Sequence, residues 1–165
     1  MRTKKISLYG VFIALAFILS YIEMQIPAFV AIPGMKLGLT NLVVLMVLYL
    51  FDDKSAMFIN IVRIIIVAIL FGNAMSFAFS IVGGMLSTIM MIFLKRTKKF
   101  STIGVSAAGG ITHNIGQIIT AMIVLGTKAI AWYLPVLWVT GIFSGVVIGL
   151  IGALVYDKLS VIIRQ

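Results

Sequence analysis

Cysteine is absent from this 165-residue chain, histidine occurs once, and only four residues are acidic. Without cysteine there is no disulfide, no thiolate metal site and no cysteine nucleophile, and the redox compartment is left open. The lone His113 excludes a multi-histidine metal site or a bis-histidine haem within one chain. No G-x-x-x-x-G-K-S/T loop is present to cradle the phosphates of ATP. Among the acids, Asp52, Asp53 and Asp157 fall at the edges of apolar segments, and Glu23 alone is a candidate for the interior.

What the chain has in abundance is apolar surface. Hydrophobic residues make up 62% and charged residues 10%, where soluble domains run at about 45–50% apolar. This is the composition of an integral membrane protein. The apolar segments follow one another too closely for a separate soluble unit, so residues 1–165 read as one transmembrane domain. The basic start MRTKK before an apolar run has the look of a signal peptide. The following YIEMQIPAFVAIPG offers no small-x-small cleavage site, however, and the run reads as a retained first span.

Crossing a hydrocarbon core of about 30 Å takes roughly 20 helical residues. Six segments are candidates: Ile6–Met24, Leu37–Phe51, Ser55–Phe71, Ala74–Leu94, Thr102–Leu125 and Leu134–Tyr156. They are apolar on every face, without the alternation of a membrane strand, so the expected fold is all-α, a six-transmembrane-helix bundle. The second and third are short and need tilt adjustment, local thinning or flanking residues.

A net charge of +9 could suit nucleic acid, but its placement decides the matter. With the N-terminus inside, Arg2, Lys4, Lys5, Lys54, Lys95, Arg96, Lys98, Lys99, Lys158 and Arg164 fall on the inner side, and only Lys36 and Lys128 outside. That ten-to-two bias orients both termini to the cytoplasm. The basic residues are topology signals, and no nucleic-acid partner is expected.

Polar residues within the apolar runs carry the functional hints. At about 100° per residue, Ser106, Gly109, Gly110, His113, Gln117 and Thr120 share one side of the fifth helix, with Asn114 at its edge. Such a stripe either packs helices, with bonds worth about 0.6 kcal/mol each, or walls a ligand cavity. Arg63, midway along the third span, costs roughly 2.5–3.5 kcal/mol on insertion scales. It requires Glu23, an anionic ligand, or a snorkelling path to the surface. Asn60, three residues earlier, shares its face and suits either of the first two.

The stretch PAFVAIPGMKLGLTN (Pro27–Asn41) reads as a plain connection or as a lid over an outward-facing cavity, Lys36 offering a charge and Asn41 a hydrogen bond. Gly141, Gly145 and Gly149 form a small-residue face suited to packing within the chain. Gly10 and Ala14 form a second, which could equally meet a partner subunit. SIVGGMLS (Ser80–Ser87) and SAAGGITH (Ser106–His113) share a Ser-x-x-Gly-Gly-x-x-polar pattern that hints at internal duplication.

PGMKLGLTN (Pro33–Asn41), the arginine of NIVRI, GGMLS in the fourth span and GGITHNIGQ (Gly109–Gln117) together resemble the Gx transporter family, often labelled heptaprenyl diphosphate synthase component I. That family is similar in turn to the substrate-binding S components of energy-coupling factor (ECF) transporters. The resemblance implies a six-helix protein of the bacterial plasma membrane that is not an enzyme. It would capture a small, anionic or amphipathic cofactor or precursor from outside, beneath the loop after the first helix. A separate transmembrane coupling protein and two ATPases would supply the energy.

With this resemblance the polar stripe reads as a cavity wall. The expected substrate site draws on Glu23, Lys36, Asn41, Asn60, Arg63, His113, Asn114 and Gln117. Gly10 and Ala14 stand where such proteins present a small face to the coupling subunit, here Gly-x-x-x-Ala in place of an alanine pair. No cofactor or metal of its own is implied. The synthase label would imply isoprenoid chemistry, yet the two aspartate-rich magnesium motifs of prenyl chain elongation are missing. The alternative role is a non-catalytic membrane subunit of quinone or isoprenoid synthesis, or of flavin-linked, including extracellular, electron transfer. A third reading, an enzyme with His113 as acid or base, lacks an evident carboxylate partner.

Overall fold

The computed structural model describes residues 2–26 and 38–163. Six helices follow in order: α1 (Arg2–Gln25), α2 (Asn41–Leu50), α3 (Asp53–Leu70), α4 (Ala74–Thr97), α5 (Thr102–Leu125) and α6 (Leu134–Ile163), with a 3-10 turn at Lys128–Tyr133 leading into α6. No strand occurs among the described residues, and the protein is all-α as expected. Side chains close the helix starts. The Asp52 carboxylate accepts from Ser55 N at 2.7 Å before α3, Asn73 from Ser76 N at 2.8 Å before α4, and the Ser101 hydroxyl from Gly104 N at 3.2 Å before α5. Gly126, at φ 62°, ends α5 in the left-handed conformation that glycine favours.

Four helical segments are long and apolar enough to cross a membrane: Ile6–Gln25, Ala74–Thr97, Thr102–Leu125 and Lys128–Val161. The other two differ for identifiable reasons. α3 carries Asp53, Lys54 and Arg63 within its 18 residues. α2 has only ten residues, starting at Asn41 and not at Leu37 as the apolar run suggests. Gly38 adopts φ 83°, outside helical geometry, and the backbone N–H groups of Gly38 and Leu39 are turned to the Glu23 carboxylate.

The bundle is built around α2. Val43, Val44, Leu45, Met46, Val47 and Leu48 are all buried, and α2 touches every other helix. A helix apolar on all sides belongs in an interior. α5 is gripped between α4 and α6. A Cβ on Gly145 would lie 2.6 Å from Ala107 Cα, and one on Gly149 2.7 Å from Ile103 Cα. The small-residue face of α6 is therefore used within the chain, letting backbones meet without side chains between them.

α1 lies at the periphery and is tied at two places. Near its start Tyr9 Oη bonds to Ser55 Oγ, which donates to Asp52 Oδ1 at 2.7 Å. Near its end Ser20 Oγ lies 3.0 Å from Thr40 Oγ1. Gly10 and Ala14 are exposed on its outer face, and a Cβ on Gly10 would meet nothing within 4 Å. At the start of α3 the neighbouring Asp52 and Asp53 are both engaged. Asp53 bonds Arg96 Nε at 2.8 Å and Lys95 Nζ at 3.4 Å, while Lys95 also donates to Leu48 O at 2.6 Å. Burial alone would raise the Asp53 carboxyl. The hydrogen bond from Arg96 and the charge of Lys95 outweigh it and hold the carboxyl below the ordinary range.

Candidate binding site

Arg63 is only 3% exposed, which removes the snorkelling alternative. Its guanidinium lies against α4 where glycine makes room, since a Cβ on Gly84 would stand 3.2 Å from Arg63 Nη2 and 3.4 Å from Asn60 Nδ2. Arg63 Nε and Nη2 both donate to Asn60 Oδ1, at 3.0 and 2.8 Å. Asn60 is fixed in turn because its Nδ2 donates to Gly84 O at 3.0 Å and to Thr88 Oγ1 at 2.9 Å. The third guanidinium nitrogen, Nη1, reaches Ser20 Oγ at 3.5 Å. Every one of these acceptors is neutral.

Glu23, 5% exposed, is engaged elsewhere. Its carboxylate accepts from the backbone N–H of Gly38, from Leu39 N at 3.0 Å and from the Thr40 hydroxyl at 3.4 Å. It therefore secures the start of α2 by satisfying N–H groups that precede the helix. Glu23 and Arg63 attract each other but do not meet. Two hydroxyls stand between them, in the order Arg63, Ser20, Thr40, Glu23. Among the described residues the interior thus holds one cation, Arg63, and one anion, Glu23, linked through α1 and the end of the α1–α2 connection.

A second group of polar side chains lies at the neighbouring face of α4, beside Gly83 where the first borders Gly84. His113 and Gln117, one turn apart on α5, share a hydrogen bond of 3.0 Å between their Nε2 atoms. Both approach Gly83, where a Cβ would stand 3.3 Å from Gln117 Cγ and 3.3 Å from His113 Cε1. Asn41, at the start of α2, comes to the same place from the other end. A Cβ on Gly38 would lie 3.0 Å from Asn41 Nδ2 and 3.7 Å from His113 Cδ2. Asn41, His113 and Gln117 are all at least nine-tenths buried. The oxygens Asn41 Oδ1 and Gln117 Oε1 have no hydrogen-bond partner among the described residues, which is uncommon in an interior where nearly all polar atoms are paired.

The expected site residues therefore separate. Arg63, Asn60 and Glu23 belong to one network, and His113, Gln117 and Asn41 gather beside it. Asn114 points away, donating from Nδ2 to Leu137 O at 2.7 Å and to Thr140 at 3.5 Å, so it fastens α5 to α6. Lys36 and most of the candidate lid fall outside the described residues. Sequence reasoning missed Ser20, Thr40 and Thr88. Ser20 was within reach of it, since it stands one helical turn before Glu23 on the inward side of α1. Among the described residues no three of His, Asp and Glu converge as a metal ligand set.

Chemically, the interior offers a fixed guanidinium with neutral partners, a carboxylate holding a helix start, and two amides with open oxygens. Such an arrangement suits an anion better than a cation, because the carboxylate already accepts from three donors and the guanidinium has no carboxylate in contact among the described residues. The chain matches the family described as heptaprenyl diphosphate synthase component I over residues 12–155. No curated protein and no solved structure matches it.

Proposed function

Because the chain belongs to the heptaprenyl diphosphate synthase component I family, a family of membrane-embedded proteins, we propose that it is the substrate-binding subunit of an uptake system for a small anionic or amphipathic molecule. The molecule is a cofactor or cofactor precursor. The observation that carries this reading is Arg63, a buried guanidinium whose contacts are all neutral. Removing a charge from water costs several kcal/mol unless an opposite charge compensates, and Glu23 compensates only through two intervening hydroxyls. A bound carboxylate or phosphate would complete the pairing. Asn60 pre-orients the guanidinium for it, so little side-chain freedom is lost on binding.

The same reading makes the protein a six-span bundle in a bacterial plasma membrane with both termini cytoplasmic. The short α2 is then covered by neighbouring helices, while α3 turns Arg63 inward and presents the exposed Phe58, Ile65 and Ile69 to lipid. It also makes the chain non-catalytic, driven by a separate coupling protein and two ATPases, with the exposed Gly10 and Ala14 face of α1 as a docking surface. Purified protein presented with flavins, naphthoates and prenyl phosphates should retain at least one of them in native mass spectrometry. Arg63→Ala should weaken retention at least tenfold, as expected for a charged hydrogen bond worth about 1.5–3 kcal/mol. Absence of binding across the panel would overturn the proposal.

A second reading is a non-catalytic subunit that anchors a quinone- or isoprenoid-synthesis or flavin-linked electron-transfer complex; the synthase wording of the family description supports its isoprenoid form alone. Here Gly10→Leu should abolish co-purification of partners while Arg63→Ala changes little. Co-purifying ATPases would favour transport, and co-purifying redox or synthase proteins would favour anchoring.

A further inference from the structure

The two open amides say more about the ligand than its charge. Asn41 and Gln117 come from different helices and gather near His113: Gln117 Nε2 is 3.0 Å from His113 Nε2, and a Cβ on Gly38 would lie 3.0 Å from Asn41 Nδ2 and 3.7 Å from His113 Cδ2. With the ring proton on Nδ1, Gln117 Nε2 donates to His113 Nε2 and its Oε1 is left as an open acceptor. The Asn41 Oδ1 atom is likewise buried and open. Each is a carbonyl oxygen withdrawn from water without a donor, a condition that folding alone disfavours. Two glycines border these groups. Gly38 is in a left-handed conformation that other residues rarely adopt, and Gly83 faces the His113 and Gln117 side chains.

We infer that Asn41 and Gln117 read hydrogen-bond donors on the bound molecule, so that the ligand is an anion that also carries N–H or O–H groups, and not a fully alkylated or purely hydrocarbon body with an acidic head. The inference rests on the interior being a binding site and names the chemistry that site selects. Donor-less analogues are rejected because they would leave both oxygens buried and unmatched, the kind of mismatch that discriminates strongly. Arg63 supplies attraction to any anion, and the amides decide which anion stays.

The test uses the full chain in lipid nanodiscs with two matched pairs of probes: orotate against 1,3-dimethylorotate, and 6-hydroxy-2-naphthoate against 6-methoxy-2-naphthoate. In each pair the donor-bearing member should bind at least tenfold tighter. Asn41→Leu and Gln117→Leu should level the pairs, whereas Arg63→Ala should weaken all four probes. In the ligand-free protein Asn41→Leu should raise the thermal midpoint by about 2–4 °C, because an unmatched carbonyl is removed. Equal binding within both pairs, with dependence on Arg63 intact, would overturn the donor reading and leave the anion site standing. Loss of all Arg63-dependent binding would overturn both. A lowered midpoint for Asn41→Leu would show instead that the amide serves the fold.

Discussion

The α4 and α5 helices each carry an adjacent glycine pair in a matching string, SIVGGMLS and SAAGGITH, yet the two pairs border different kinds of neighbour. Around Gly83 and Gly84 the nearest atoms include the side chains of Gln117, His113, Arg63 and Asn60. Around Gly109 and Gly110 they belong to Met91, Ser87 and the backbone of Gly141. In each pair, successive residues a third of a turn apart face two different helices. Gly84 clears volume for the Arg63 and Asn60 side chains, Gly83 and Gly110 stand where the backbones of neighbouring helices close on one another, and Gly109 makes room for Met91 and Ser87. Identical glycine spacing therefore reports close approach, while the neighbouring elements decide whether that approach serves packing or a site.

The contrast breaks most severely at the packing pair. Gly110→Leu, or Gly145→Leu opposite it, places a side chain where backbone already stands, so the about 1–3 kcal/mol usual for overpacking is a lower bound. Neither variant should give a monodisperse protein by size-exclusion chromatography. A milder and more informative variant is Gly84→Ala, whose added methyl meets the side-chain ends of Arg63, Asn60 and Ile64 at 3.1–3.4 Å instead of backbone. We expect a stability loss of about 1 kcal/mol with disproportionate loss of anion binding, read by thermal unfolding beside ligand titration. Asn114→Leu should do the reverse. It removes the bonds to Leu137 O and Thr140 at a cost of about 0.6–1.7 kcal/mol and leaves anion affinity unchanged.

The smallest expected effect lies at the Asp53 tie between α3 and α4. A carboxyl held below its ordinary value contributes stability that is present at neutral pH and is lost as pH falls through the folded value. The thermal midpoint of the wild type should therefore decline as pH falls below the ordinary aspartate value of about 3.9. The Asp53 share of that decline should vanish in Asp53→Asn.

Much of the helical plan was legible because apolar runs of membrane length are strong signals. α5 begins and ends at the expected residues, and α4 and α6 begin at theirs, extending beyond their apolar cores through residues whose charges do not interrupt helix geometry. α2 was misjudged at its start because the apolar run from Leu37 onward reads as helix. What stops the helix is a glycine conformation and a carboxylate 15 positions away, and no local pattern reports a partner that distant. The site was half legible. Buried Arg63 and the His113 stripe announce themselves by polarity in an apolar run. The hydroxyls of Ser20 and Thr40 do not, since serine and threonine inside helices commonly bond their own backbone. Asn114 shows the converse limit: a polar residue at the edge of a stripe can belong to the next helix.

The central position of α2 has a kinetic consequence. With all five other helices packed around Val43–Leu48, that segment cannot open without dismantling the whole bundle, so its amides should exchange with deuterium only at the rate of global unfolding. Peripheral α1, whose outer face at Gly10 and Ala14 is exposed among the described residues, should exchange earlier. Rearrangement on ligand arrival would then fall to α1 turning against a stationary post, and a comparison of exchange with and without ligand should show protection changing on α1 while α2 stays silent.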